Sequence, residues 1–345
     1  MADLLKTLKN EELVQISADF DYLSVTEDFV GLKLLPMVRT ENMKVAIYDL
    51  MKGSEVRVSA LVHALDSEAR IGDRPEYEEI RAELFLIKEK INQGEELRKK
   101  IKDLGMDASD NAIVLAIYED IANQISKVLV GFERRACELL ATGSITINEN
   151  GAVKTVTMGY DATSNSTSFT DWADPTHDIV GDILALQKKS GNKIKRIIIS
   201  PERMANILNN NKLNTIASND VNQGYLTEDY AINFIKRVGK ILDVKVDDRT
   251  YKLSYGDNTE YRYFPQDTLI ALTSDGAVGQ TLMTSTPIED GNTVDGKYGF
   301  VAVSQWRTED PVTSWTKAEG VGLPVIPNIN NVLYLATITE TSNDD

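Results

Sequence analysis

Between Asp110 and Thr142 the chain runs without a proline, and Ile113, Ile117, Ile121, Ile125, Leu129, Phe132, Ala136 and Leu140 recur every three or four residues. That spacing aligns them on one stripe of an α-helix, and Gly143 is placed to end it. At 1.5 Å per residue such a helix is roughly 45–50 Å long. Few helices of globular proteins approach that length, so the segment reads as a strut across the molecule.

Composition narrows what surrounds the strut. The chain has 345 residues with 37 Lys plus Arg against 53 Asp plus Glu, a formal net charge of −16. A protein that grips nucleic acid neutralises phosphates with clustered cations, and no strongly basic window exists here, so direct DNA or RNA binding is excluded. Hydrophobic residues make up 42%, enough for a sizeable core in two or three lobes. A lone cysteine, Cys137, and an N-terminus of Met1-Ala2-Asp3-Leu4 point to folding in a reducing, cytosolic setting. No apolar run is long enough to span a membrane.

Ahead of the strut, residues 1–42 mix short apolar clusters with charges and end near Leu34-Leu35-Pro36, an arm rather than a core. Val45 and Ile47, then Val56, Val58 and Ala60, alternate with polar residues around Met51-Lys52-Gly53-Ser54, which predicts a two-stranded hairpin over 45–60. Residues 75–104, dense in alternating charge, predict a solvated helix. Beyond Gly143 two short strands are expected at 144–147 and 153–158. An α/β region follows, with helices capped at Asp174-Pro175, Ser200-Pro201 and Thr227, the strand Arg196–Ile199 between them, and Gly239 ending the third helix. Strands are predicted at 241–246, 252–255, 260–264 and 269–272, and long extended segments occupy 297–338.

Signatures of chemistry are missing. Cys137 lies in the apolar face of the strut, where a thiol is an inert core residue, and His63 and His177 have no spacing that would hold zinc. Asp247-Asp248 and Glu309-Asp310 lack the features of an acid/base couple, and 290–296 departs from a calcium loop at Val294 and Val301. There is no phosphate-binding loop and no nucleophile elbow. The Asn165-Ser166-Thr167 sequon carries little weight. No catalytic residue, metal or cofactor is expected.

One set of segments, in order over some 300 residues, resembles a known family. These are Phe29 to Pro36, Ala69-Arg70-Ile71-Gly72-Asp73-Arg74, Phe132-Glu133-Arg134-Arg135, Leu139 to Gly143, Phe264-Pro265, Gly279-Gln280-Thr281-Leu282, Trp306 with Glu309-Asp310-Pro311 and Trp315, and Leu323 to Pro327. The chain is similar to the major capsid (head) proteins of tailed bacteriophages, specifically the lambda-type coat family with the Hong Kong 97-type fold.

That resemblance implies an α+β protein with an N-terminal arm (1–42), an extended hairpin loop (43–76), a peripheral domain (77–173 and 276–327) built on the spine helix at 110–142, and an axial α/β domain (174–275 and 328–340). It further implies pentamers and hexamers of the chain itself tiling an icosahedral head, matured from a procapsid. The partners would be a portal, a scaffold or protease and a cement or decoration protein, around double-stranded DNA held without sequence-specific binding. The place would be the virion, assembled in the host cytoplasm. Subunit-interface candidates are Lys52, Arg57, Arg70, Arg74, Glu133, Arg134, Arg135, Trp306, Glu309, Asp310 and Trp315.

For Glu133, Arg134 and Arg135 two readings stand: a solvated helix face, or arginine forks that meet a neighbour's carboxylates. Some relatives link a hairpin lysine to an asparagine; Lys52 with Asn292 or Asn328 would be the pair, but lambda-type coats rely on non-covalent contacts, so no cross-link is expected. The charge of −16 fits a wall that does not hold phosphate, with the excess carboxylates toward the lumen or outer solvent and the arginines and lysines at contacts. An encapsulin-type nanocompartment shell and an acidic α/β hydrolase using Asp247-Asp248 or Glu309-Asp310 are the alternatives.

Overall fold

The computed structural model describes residues 20–41, 44–50, 77–93, 110–149, 151–219, 226–288, 299–310 and 312–340. The first part holds α1 (Tyr22–Val25), α2 (Gly31–Leu34), β1 (Met37–Arg39), β2 (Lys44–Leu50), β3 (Tyr77–Glu83) and β4 (Phe85–Gln93). Next come the spine helix α3 (Asp110–Thr142), the hairpin β5 (Ser144–Glu149) and β6 (Ala152–Thr157), α4 (Ala162–Asn165) and β7 (Ser166–Thr170). The α/β region comprises α5 (Ile179–Lys189), β8 (Arg196–Ile199), α6 (Pro201–Leu208), α7 (Asn211–Ser218), α8 (Glu228–Gly239) and β9 (Asp243–Val246). Then follow β10 (Thr250–Tyr251), β11 (Tyr261–Arg262), β12 (Thr268–Leu272) and β13 (Gln280–Thr284). The chain closes with β14 (Ala302–Glu309), β15 (Val312–Val325), α9 (Ile329–Val332) and β16 (Leu333–Thr339).

The spine forms as its periodicity requires. Ile121, Ile125, Leu129, Phe132, Ala136 and Leu140 are all fully buried, and Gly143 takes the left-handed conformation (φ +73°) that lets its N–H bond back to Leu139 O at 2.8 Å. Its apolar stripe lies on a sheet whose hub is β15. Antiparallel to β15 run β14 and β13, with β4 along the opposite edge, and β1 adds parallel to β13. Alternate β15 residues Thr316, Ala318, Gly320 and Gly322 are small and buried, which lets a helix approach the sheet closely.

In a second sheet, ordered β7-β16-β12-β8-β9, the central strands β16, β12 and β8 are buried on both faces. Ile197, Ile199, Leu269, Ala271, Ala336 and Ile338 face a core built with α5, α6, α7 and α8. Their alternates Ile198, Ile270, Leu272, Leu333 and Leu335 face the core of the spine. Two buried faces explain why these strands read as unbroken apolar runs. Helix starts are set by side chains: Asp178, Ser200 ahead of Pro201, Asn210 and Thr227 each accept a backbone N–H of the first turn.

Three expectations change. Residues 77–83 and 85–93 are strands, not part of a helix. Phe85, Ile87 and Ile91 turn inward while Leu86, Lys88 and Lys90 are exposed, a period-2 pattern that β4 can bury against β15 although its charges match helical i,i+4 spacing. Strand β2 pairs with β3, from Lys44↔Glu83 to Leu50↔Tyr77; the 56–60 half of the expected hairpin lies outside the described residues. Asp174-Pro175 forms a turn in which Asp174 accepts from Thr176 N at 2.8 Å; the helix begins four residues later, so His177 precedes it. The region 250–264 holds only the two-residue pairing of β10 with β11. By contrast, the strands 144–149, 152–157, 196–199 and 268–272 and the helix Glu228–Gly239 stand where the sequence puts them.

Candidate assembly site

At the spine's end, separate stretches of the chain meet at one buried carboxylate. Glu133 is fully buried, so the solvated reading fails for it. Its Oε1 accepts backbone N–H groups from Val30 (2.8 Å) and Gly31 (2.9 Å), and its Oε2 accepts from Leu32 (2.7 Å). Arg249, in the turn after β9, donates Nη1 to the same Oε1 at 2.9 Å and to Asp28 O at 2.8 Å, and Nε to buried Asp247 at 2.9 Å. Tyr263 places its ring 4.9 Å from the guanidinium. Burial opposes the charge on Arg249, but Glu133 and Asp247 outweigh it and raise its pKa. One turn along, Cys137 Sγ lies 3.3 Å from Glu133 Oε1.

Burial, reinforced by the neighbouring Glu133 charge, pushes the Cys137 thiol well above its usual pKa. The inert reading of this cysteine follows. Native protein is expected to show no reaction with a thiol reagent at pH 8 over an hour, and one equivalent per chain in denaturant. Fast stoichiometric labelling of the native subunit would contradict that burial.

Arg134 and Arg135 also find partners inside their own chain. Arg135, nearly buried, donates to Glu138 (2.6 Å), Thr146 O (2.9 Å) and Glu149 (2.9 Å), and Arg134 pairs with Glu149. Partial burial works against the Glu149 charge, yet the two guanidiniums lower its pKa. Arg134, Arg135 and Glu138 line one wall of an open cleft of about 470 Å³, faced by Tyr251, Arg262 and Tyr263. Arg262 is itself held by Glu202 (2.7 Å) and Asp248 (2.9 Å). So Asp247 and Asp248 serve two different arginines and form no acid/base couple.

Trp306 and Trp315 sit opposite each other on β14 and β15. Their rings stack at 6.2 Å, and Lys90 of β4 lies 4.7 Å from the Trp315 ring. Trp306 is 37% exposed, and exposed Glu309 and Asp310 end the same ribbon. This aromatic and acidic strip is separate from the Glu133 junction. Asn165 is buried, donating Nδ2 to Asn330 O and Leu333 O, so its sequon marks a structural amide. His177 Nε2 lies 2.7 Å from Asp182. Asn328 begins α9 with φ +54°. Lys52, Arg57, Arg70, Arg74, Asn292 and the loop 290–296 lie outside the described residues. Among the described residues no cluster could hold a metal ion, and no helix is long and apolar enough to cross a membrane.

Residues 14–336 match the family described as Phage major capsid protein E. The chain belongs to that family. It is a structural shell protein of a phage head. The fold agrees with this membership. A putative capsid protein of a prophage of E. coli CFT073 superposes with a TM-score of 0.59 at 13% identity, covering 96% of this chain and 99% of that one. A phage-related protein from Bordetella bronchiseptica RB50 gives 0.53 at 10% identity over 96% and 98%. The capsid of cyanophage P-SCSP1u gives 0.52 at 8% over 91% and 89%. At such identities the likeness is one of fold, the Hong Kong 97-type capsid fold. No curated protein matches the chain.

Within this capsid protein, the candidates divide three ways: Glu133, Arg134 and Arg135 stabilise their own subunit, Trp306, Glu309, Asp310 and Trp315 mark an outward strip, and the hairpin basic residues are undescribed. Arg249 and Tyr263 went unnoticed in the sequence. Nothing local marks them, because the carboxylate that Arg249 reaches, Glu133, lies 116 residues away along the chain and Tyr263 joins the site only through Arg249.

Proposed function

We propose that the chain tiles an icosahedral head as pentamers and hexamers, assembling first as a procapsid that matures while double-stranded DNA is packaged. The observation that carries this reading is the β2–β3 ribbon, which pairs with no other described strand and spans the base of the loop 51–76. A lone two-stranded ribbon is marginal in water and gains its support from a neighbour in a repeated assembly. In this reading residues 1–42 are the arm, 43–76 the extended loop, 77–173 with 276–327 the peripheral domain, and 174–275 with 328–340 the axial domain. The Trp306–Trp315 strip and the loop residues Lys52, Arg57, Arg70 and Arg74 meet neighbouring subunits. The chain performs no catalysis, and a portal, a scaffold or protease and a cement protein complete the head.

The excess of 16 negative charges supports a wall that encloses DNA without gripping it. Several described arginines, Arg134, Arg135, Arg196, Arg203, Arg249 and Arg262, are already bound to carboxylates of their own chain, which leaves fewer cations for phosphate. Purified protein should elute as capsomers or megadalton shells and appear as closed particles under negative stain; a stable monomer would overturn the reading. Replacing residues 52–75 by a short Gly-Ser turn should leave a folded subunit, by circular dichroism, that forms no closed shells. Normal shells from that variant would contradict the role given to the loop.

A further inference from the structure

Three stretches far apart in the chain share a single carboxylate. The arm gives Glu133 the N–H groups of Val30, Gly31 and Leu32, the turn after β9 gives it Arg249, and the spine carries it. Arg249 also reaches the arm directly through Asp28 O, while its Nη2 is buried with no hydrogen-bond partner among the described residues. Gly31 lies flat on the spine here: a Cβ at that position would stand 2.8 Å from Ala136 Cβ, 2.9 Å from Glu133 Oε2 and 3.0 Å from Cys137 Sγ. The arm therefore forms the lid over the thiol.

We propose that Glu133 and Arg249 form a latch that couples docking of the arm to the position of the β9–β10 turn, and that this latch opens as a unit without unfolding the subunit. The physical reason is that both sides use the same anion. If the arm leaves, Glu133 keeps Arg249 and the weak thiol donor of Cys137, and if Arg249 withdraws, the buried carboxylate loses its one cationic partner among the described residues and keeps only neutral donors. Each side thus holds the other in place, which is what a coupling free energy between two sites means. Such a latch lets movement of the α/β part of the subunit release or seize the arm. The claim concerns the isolated subunit and stands or falls apart from the shell reading.

Cys137 gives the test a native probe. In the full-length chain, Arg249→Gln should raise the rate of Cys137 labelling by a thiol reagent at least tenfold, with unchanged circular dichroism and a weaker urea dependence than global unfolding. Loss of the nearby positive charge would by itself disfavour the thiolate and slow the reaction, so acceleration has to come from exposure. Arg249→Lys, which keeps the charge but loses the planar fork, should give a smaller, few-fold rise and serves if the glutamine variant does not fold. In the reverse direction, Gly31→Val should speed amide hydrogen exchange across residues 243–251. Labelling at the wild-type rate, labelling that rises only in step with global unfolding, or unchanged exchange at 243–251 would each overturn the latch.

Discussion

Glu133→Ala is expected to destabilise the subunit by about 3–5 kcal/mol, the range found when one member of a buried ion pair is removed. Three backbone N–H groups lose their acceptor at once, and Arg249 is left with Asp247 and Asp28 O alone. Domains of this kind are stable by only about 5–15 kcal/mol, so the variant should lose about a fifth or more of its margin. In urea titrations the midpoint should fall while the slope stays constant. Glu133→Gln, which keeps one acceptor oxygen but adds donors facing donors, should fall between the two. A loss below about 1 kcal/mol for the alanine variant, the size of an ordinary point mutation, would show that the arm does not depend on this carboxylate.

The same residue shows where sequence reading stops. The spine was legible because its stripe repeats over nine turns, and every apolar position from Ile121 to Leu140 in that stripe proved buried. Capping worked at Ser200 and Thr227 because each cap is settled within four residues of chain. Glu133 looked like one more charge on a helix, since the groups that bury it come from residues 28–32 and 249. Strand β4 misled for a related reason: Lys88, Glu89 and Lys90 are tolerable on a helix or on an exposed strand face, and only pairing with β15 decides. Alternation identifies Lys44–Leu50 as a strand without naming its partner β3, which begins 27 residues beyond its end. Family likeness survived these local errors because it rested on the order of many segments and not on any one element.

Gly279→Ala should be the second costly change, and a neighbour three residues away supplies its control. At Gly279 the arm, the start of β13 and the end of β15 cross: Val278 N bonds to Leu34 O at 2.8 Å, and Thr281 N to Pro36 O at 2.8 Å. A methyl group there would lie 2.2 Å from Val325 O, 2.7 Å from Leu35 Cδ2 and 3.0 Å from Ile326 Cα. Two of those three atoms belong to backbone held in the sheet or just past it, so no rotamer change relieves the clash. The expected loss is about 3 kcal/mol or more, at or above the usual upper end for overpacking. At Gly276 an added Cβ meets nothing within 4 Å, and Gly276→Ala should stay within about 0.5 kcal/mol of the parent, as surface changes do. Urea midpoints of the two variants measured side by side separate the explanations. Equal losses would mean that flexibility of the 274–279 segment matters, whereas a loss confined to Gly279 assigns the cost to the crossing of the arm over the sheet.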